Sequence, residues 1–141
     1  MSVVRFRRKL RKLQKEREEI KERSQLELQG ATGEKREQLR SEWSSEFFMV
    51  QEQIDELQSD YVREQAERLD LSLPVLAEGE FWERMHVVGD RLILTTRGRE
   101  EMREKIRREK KQIREGWAFY LQMAITIGSL LVAAFAIYFR K

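Results

Sequence analysis

The feature that most restricts this chain is the run Gly116 to Phe139, which contains no charged side chain and follows a strongly polar sequence. A helix rises about 1.5 Å per residue, so a run of roughly 24 residues can cross a hydrocarbon core of about 30 Å. The alternative, a buried core helix, is disfavoured because the rest of the chain has no comparable apolar partner. The sequence therefore predicts a transmembrane helix at 116–139.

Aromatic and basic residues predict how this helix would be placed. Trp117, Tyr120 and Tyr138 lie near its two ends, where amphipathic rings form an interface belt. The preceding segment 103–114 is basic, and an excess of Lys and Arg favours the cytoplasmic side and binds anionic lipid headgroups. The predicted membrane-surface residues are Arg103, Lys105, Arg107, Arg108, Lys110, Lys111 and Arg114. We therefore expect a lipid bilayer as partner and a cytoplasmic N-terminus, with a bacterial inner membrane favoured over an organelle membrane.

The composition restricts the chemistry. The chain has no Cys and one His, His86, which excludes disulfides, thiolate metal sites, cysteine nucleophiles and sites with several histidines. Its carboxylates alternate with Lys and Arg at helical spacings, as on a solvated surface. A glycine-rich phosphate loop is absent. The sequence predicts no enzyme, no catalytic residue, no cofactor and no metal.

Two heptad patterns predict a helical hairpin over residues 1–70. The segment 3–29 places apolar residues at alternating spacings of three and four, and so does the segment 34–69. The first stripe comprises Val3, Phe6, Leu10, Leu13 and Ile20, and the second Trp43, Phe47, Val50, Ile54, Leu57 and Tyr61. A turn of a few residues between Gly30 and Gly33 makes the helices antiparallel neighbours.

Charge supports the same pairing. Residues 1–15 carry seven Lys or Arg and no acid, residues 16–70 have a net charge of −8, and the remainder is +4, within a total of +3. Such blocks indicate a defined polarity along the molecule. An antiparallel hairpin brings the basic start of the first helix to the acidic end of the second.

Residues 71–98 interrupt the helical pattern and predict a linker with a β-hairpin. Pro74 and Gly79 mark the linker. Gly89-Asp90 suits a tight turn between Val87, Val88 and the segment 92–96. The residues expected to pack this hairpin onto the helices, as a short helix, are Phe81, Trp82 and Met85. A basic juxtamembrane helix is predicted at 99–115. It either continues unbroken into 116–139 or bends at Gly116, the one hinge position that the sequence offers.

The predicted fold class is therefore mainly α: an antiparallel coiled-coil-like hairpin, a small β-hairpin module, then a basic helix running into one C-terminal transmembrane helix. The predicted function is a non-catalytic, single-pass, tail-anchored protein that presents a helical surface at the cytoplasmic membrane face. We expect a protein partner or a homo-oligomer, because the first stripe fades before the second ends. The candidate partner contacts are Trp43, Phe47 and Val50.

An alternative is a membrane-tethered nucleic-acid-binding protein. The basic N-terminal arm accompanies the segment RLILTTRGREEMREKI, which is similar to the last strand and following helix of a winged-helix domain. No helix-turn-helix precedes it, however. Its basic residues alternate with acids, which opposes binding to phosphates; the acids in and after this segment are Glu100, Glu101, Glu104 and Glu109. The sequence therefore disfavours nucleic acid as a partner.

Overall fold

The computed structural model describes residues 1–86 and 91–139, except for the side chains of residues 133, 134, 136 and 137. These residues form three helices and two short strands: α1 (Val3–Gly30), α2 (Glu34–Glu67), β1 (Trp82–Arg84), β2 (Leu92–Leu94) and α3 (Thr96–Tyr138). The prediction of a mainly helical chain with a small antiparallel sheet is confirmed. The chain divides into two compact units, Met1–Arg103 and Glu104–Lys141.

Helices α1 and α2 form the predicted antiparallel hairpin. The ring of Phe6, near the start of α1, stacks on Tyr61, near the end of α2, with 3.9 Å between centroids. At the other end Trp43 Nε1 donates a hydrogen bond to Glu27, 3.2 Å away. Between these contacts lies a core of Ile20, Val50 and Ile54, against which four half-buried side chains pack: Leu10, Leu13, Trp43 and Phe47. The heptad stripes therefore meet each other, as their spacing predicts.

A second face of α2 is also buried. Ser59, Val62 and Ala66 are inaccessible to solvent, and their spacing places them on one side of the helix, beside the heptad stripe. Ser59 Oγ accepts a hydrogen bond from the backbone N–H of Leu94 in β2 at 2.9 Å. Helix α2 is thus covered by α1 on one face and by β2 on the other.

Strands β1 and β2 pair antiparallel, with Trp82 opposite Leu94 and Arg84 opposite Leu92. The predicted β-hairpin exists, and its second strand lies within the predicted segment 92–96. Its first strand begins earlier than predicted, and Trp82 is part of it rather than of a short helix, because an extended backbone lets this large ring be buried beside Leu94. The predicted turn and the strand residues Val87 and Val88 lie outside the described residues.

Helix α3 begins at Thr96, before the predicted start. Thr95 caps it, since Thr95 Oγ1 accepts a hydrogen bond from the N–H of Gly98 at 3.0 Å. Gly98 lies inside the first turn, where a Cβ atom would be 2.5 Å from the carbonyl oxygen of Phe81. Its small size permits close packing, so Gly98 does not mark a helix boundary. Gly116 is also helical, and of the two alternatives left by the sequence α3 takes the continuous one.

The predicted membrane span requires a correction. Within the described part of the chain, no helix is both long enough and apolar enough to cross a membrane. The first part of α3 is strongly charged, and its apolar part contains the polar residues Gln122, Thr126 and Ser129.

This finding contradicts the transmembrane helix predicted at 116–139. It also contradicts the predictions that depended on that helix: a single-pass, tail-anchored protein, its membrane localisation, its cytoplasmic N-terminus and the membrane-tethered alternative. Each of these predictions required the span that hydropathy predicted at 116–139. The helical hairpin remains, with β1 and β2 (together called the β module) packed on α2. The second unit, Glu104–Lys141, contains the rest of α3.

Candidate interaction surfaces

A groove near the α1–α2 turn forms the first candidate surface, which we call the turn-proximal surface. Its volume is about 310 Å³, and its apolar lining residues are Ile20, Leu28, Trp43, Phe47 and Phe48. Phe48 is 60% exposed and the neighbouring Met49 is 41% exposed. Aromatic and aliphatic side chains are therefore exposed to solvent near the turn end of the hairpin.

The three predicted partner contacts differ in their exposure to solvent. Val50 is buried in the hairpin core, whereas Trp43 and Phe47 are half-buried against that core. The guanidinium of Arg23 lies 5.8 Å from the centroid of the Trp43 ring, which partly covers it. The heptad pattern did not predict Phe48 as a partner contact, because Phe48 lies outside the heptad stripe. The available signal was the pair of adjacent phenylalanines, since two consecutive helical residues cannot face the same core.

Charge is balanced around this surface. Residues 21–42, which include the turn, carry five basic and five acidic side chains. The preceding residues 1–15 carry seven positive charges and no negative charge. The segment 21–42 is therefore electrically neutral as a whole, although the two charged residues that line the groove, Lys21 and Arg40, are both basic.

The predicted membrane-surface residues form a second, basic surface, most of which belongs to the unit beginning at Glu104. Arg103 is only partly exposed, and its Nη2 lies 3.4 Å from Gln58 Oε1. The other six basic residues are largely exposed. Two of them form ion pairs within α3: Arg108 with Glu104 at 2.5 Å, and Lys111 with Glu115 at 3.8 Å.

The predicted interface belt continues this second surface. Trp117, Tyr120 and Tyr138 are each at least 70% exposed. The Tyr120 ring makes an edge-on contact with Phe119, with 6.1 Å between centroids. The structure places these rings on the surface of α3, and their role as membrane-interface residues stays a prediction.

A third surface is a cleft between α2 and β1, which we call the acidic cleft. Its volume is about 410 Å³, and its lining includes Glu52, Asp55, Trp82, Glu83 and His86. Glu52 accepts a hydrogen bond from the backbone N–H of His86 at 2.8 Å. Asp55 forms an ion pair with Arg99, with 2.7 Å between oxygen and nitrogen. Two carboxylates of α2 thus bind His86, which follows β1, and Arg99, in the first turn of α3.

The acidic cleft changes the pKa of one of its own carboxyl groups, that of Glu83. Partial burial raises the pKa of this carboxyl group, and the negative charges of Asp55 and Glu52 raise it further. The positive charges of Arg99 and His86 act in the opposite direction but do not outweigh the other two effects. Burial, and secondly the neighbouring carboxylates, therefore disfavour ionisation of Glu83.

The cleft wall also contains an unsatisfied donor. Trp82 is 2% exposed, and its indole Nε1 is buried with no hydrogen-bond partner among the described residues. The Arg63 guanidinium lies 5.9 Å from the centroid of its ring. Most buried polar groups have a partner, so this indole N–H is an exception among the described residues and its burial costs stability.

Over residues 1–86 and 91–139, no group of three or more His, Cys, Asp or Glu residues is arranged to hold a metal ion. Comparisons with protein-family models, with curated proteins and with solved structures returned no match for this chain. The function is therefore argued from the surfaces themselves.

Proposed function

We propose that this chain is a non-catalytic assembly module in which two copies pair through their turn-proximal surfaces. The observation that carries the proposal is the exposure of Phe48 beside the half-buried Trp43 and Phe47. Two hairpins joined in this way form a four-helix bundle, in which the groove of each copy receives the Phe48 ring of the other.

The hydrophobic effect favours this pairing. Full burial of an exposed Phe side chain contributes about 1.5–3 kcal/mol, and a two-fold interface buries each residue twice. Aromatic residues with a half-buried base, such as Trp43, lose little side-chain entropy on binding. The exposed rings therefore provide a driving force for association at the end of the hairpin where the core is thinnest.

Charge selects a second copy as the occupant. In a two-fold interface the same patch meets itself, so it must complement its own charge. The charged residues that line the groove, Lys21 and Arg40, are both basic, and the segment 21–42 around them supplies five acidic side chains that can pair with such charges on a second copy. The first 15 residues, with seven positive charges, would repel their own copy.

Cysteine cross-linking of the full chain tests the proposal, because the native chain has no Cys. Ser44 lines the groove and is exposed. We expect Ser44→Cys to form a covalent dimer with a short bismaleimide, and Phe48→Glu in the same background to abolish it. Ser72→Cys, exposed in the linker, is the matched control. Equal dimer yields from the Ser44→Cys and Ser72→Cys proteins, or a Ser44→Cys yield unaffected by Phe48→Glu, would contradict the proposal.

A second candidate function is binding of anionic lipid headgroups by the basic surface of α3. It is favoured by six largely exposed basic residues within the segment 105–114 and by the exposed rings of Trp117 and Tyr120. Each basic residue near an anionic surface contributes about 1 kcal/mol. Retention on phosphatidylglycerol vesicles should fall with added salt and with Lys110→Gln/Lys111→Gln. Equal retention on neutral vesicles would rule out headgroup recognition.

A further inference from the structure

A groove between the first half of α1 and the second half of α2 has a volume of about 500 Å³, and we call it the α1–α2 groove. Leucine side chains from both helices line it, together with two lysines on the α1 side and two carboxylates on the α2 side. It shares no lining residue with the turn-proximal surface. The proposed pairing of two copies therefore does not use the α1–α2 groove.

We propose that the α1–α2 groove binds an acidic amphipathic helix from a partner protein. Apolar side chains of that helix pack on Leu13 and Leu57, and its carboxylates pair with Lys9 and Lys12. Amphipathic helices commonly bind in this way, with their apolar side chains in a groove and their charges at its edge. The recognised chemistry is thus a row of aliphatic side chains beside a row of negative charges.

Unpaired positive charge on the α1 side is the first argument. Lys9 and Lys12 are exposed, and neither forms an ion pair with any residue over 1–86 and 91–139. The two carboxylates of the α2 side already have a counterion, because Glu56 lies 2.7 Å and Asp60 lies 3.9 Å from the guanidinium of Arg91. The groove therefore has free positive charge and paired negative charge, which favours an anionic ligand.

The apolar lining is the second and independent argument. Leu13 and Leu57 belong to the two heptad stripes, yet both remain half-buried and line the groove. Removal of their remaining apolar surface from water would stabilise a complex. A phosphate backbone or a lipid headgroup has no aliphatic side chain to place against these leucines, whereas an amphipathic helix does. The lining therefore favours a protein segment over other anionic partners.

The order of charges along α1 limits the length of the ligand. Arg5, Lys9 and Lys12 are four and three residues apart, so they lie in one row, about 10 Å long, on one side of the helix. The next position of that row is Glu16, and residues 16–70 have a net charge of −8. A long polyanion lying along α1 would meet this negative charge, whereas a helix of a few turns would not.

Fluorescence anisotropy of a fluorescein-labelled peptide, LEALEEALEALEEA, titrated with the full chain tests this proposal. As a helix, the peptide presents its leucines on one face and its glutamates beside them. We expect saturable binding, and about tenfold weaker binding to Lys9→Glu/Lys12→Glu, since each exposed ion pair contributes up to roughly fivefold in affinity. The same peptide with lysine in place of glutamate should bind the Lys9→Glu/Lys12→Glu protein more tightly than it binds the native chain.

Arg7→Glu/Arg11→Glu is the matched control, because it makes the same change of charge at exposed residues of α1 that do not line the groove. It should weaken binding by less than about twofold, since salt screens charges that are far from the ligand. A peptide with serine in place of leucine should bind more weakly than the original. Equal losses for the two double variants, equal affinities of the serine and leucine peptides, or no saturable binding at millimolar protein would overturn the proposal.

Competition distinguishes this partner from other anions. Duplex DNA and phosphatidylglycerol vesicles, at the same concentration of negative charge, should displace the labelled peptide less well than the unlabelled peptide does. Equal or better displacement by either would identify a nucleic acid or a lipid surface as the ligand and would also overturn the proposal. Dimer cross-linking of the Ser44→Cys protein should be unaffected by Lys9→Glu/Lys12→Glu, so this proposal and the proposed function can fail separately.

Discussion

The guanidinium of Arg99 lies 2.7 Å from the carboxylate of Asp55 and joins the first turn of α3 to the middle of α2. The same guanidinium donates to the backbone carbonyl of Leu94 at 2.9 Å and to Thr96 Oγ1 at 3.1 Å. The Arg99 side chain is only 7% exposed. One buried arginine therefore connects α2, the end of β2 and the start of α3.

Removal of the Asp55 carboxylate should destabilise this arrangement. Asp55→Ala leaves the Arg99 charge buried without its counterion, which costs about 3 kcal/mol in the free energy of unfolding. Urea denaturation followed by circular dichroism measures the loss. Asp60→Ala is the control on the same helix, because Asp60 makes only longer ion pairs at 3.9 Å with Arg63 and Arg91 and should cost at most about 1 kcal/mol. Similar losses for the two variants would show that the buried Arg99–Asp55 pair contributes no more to stability than the longer ion pairs of Asp60.

The hydroxyl group of Ser59 should contribute measurably to the stability of the fold. Its Oγ accepts the backbone N–H of Leu94 at a fully buried position. Ser59→Ala leaves that N–H unpaired, so we expect a loss of about 1–3 kcal/mol in the free energy of unfolding. Hydrogen exchange of the Leu94 amide should also become faster. The exposed Ser45→Ala should change neither quantity, and an unchanged Leu94 exchange rate in Ser59→Ala would contradict the interpretation.

Two glycines in α3 should respond in opposite directions to the same substitution. Gly98→Ala places a Cβ atom 2.5 Å from the carbonyl oxygen of Phe81, so the backbone before β1 must shift. Gly116→Ala meets no atom within 4 Å and should gain about 1 kcal/mol of helix propensity. Chemical denaturation should show a less stable Gly98→Ala protein. Stabilisation by both substitutions would mean that the contact with Phe81 is easily relieved.

The raised pKa of Glu83 predicts the direction of a pH effect. Burial and the charges of Asp55 and Glu52 raise this pKa above its ordinary value of 4.5, against the opposing charges of Arg99 and His86. The folded protein therefore keeps the Glu83 proton to higher pH than the unfolded chain does. The free energy of unfolding should fall as pH rises from 4.5 through the folded pKa.

The difference between the native chain and Glu83→Gln isolates this effect, because all other groups titrate in both proteins. We expect the stability of Glu83→Gln relative to the native chain to increase as pH rises through that window, and then to become constant. Glu46→Gln should show no such trend. A difference that is independent of pH would mean that Glu83 titrates alike in the folded and unfolded states.

Part of the fold could be predicted because its pattern is local. The spacing of Phe6, Leu10, Leu13 and Ile20 determined the inner face of α1, and the stripe from Trp43 to Tyr61 determined that of α2. A short turn then allowed only an antiparallel pair. Hydropathy was a weaker guide. The charge-free run at 116–139 predicted a membrane span, but no helix in the described part of the chain is long and apolar enough to form one.

The tertiary structure alone decided the candidate sites. The second buried face of α2 contains Asp55 and Ser59, two polar residues that the sequence pattern would place at the surface. Their partners, Arg99 and Leu94, lie much later in the chain. Their burial depends on partners that no local period reveals, because a polar side chain is stable inside a protein only when a specific donor or acceptor meets it. The sequence by itself therefore determined the helical hairpin, and tertiary packing decided that a cleft rich in carboxylates lies beside it.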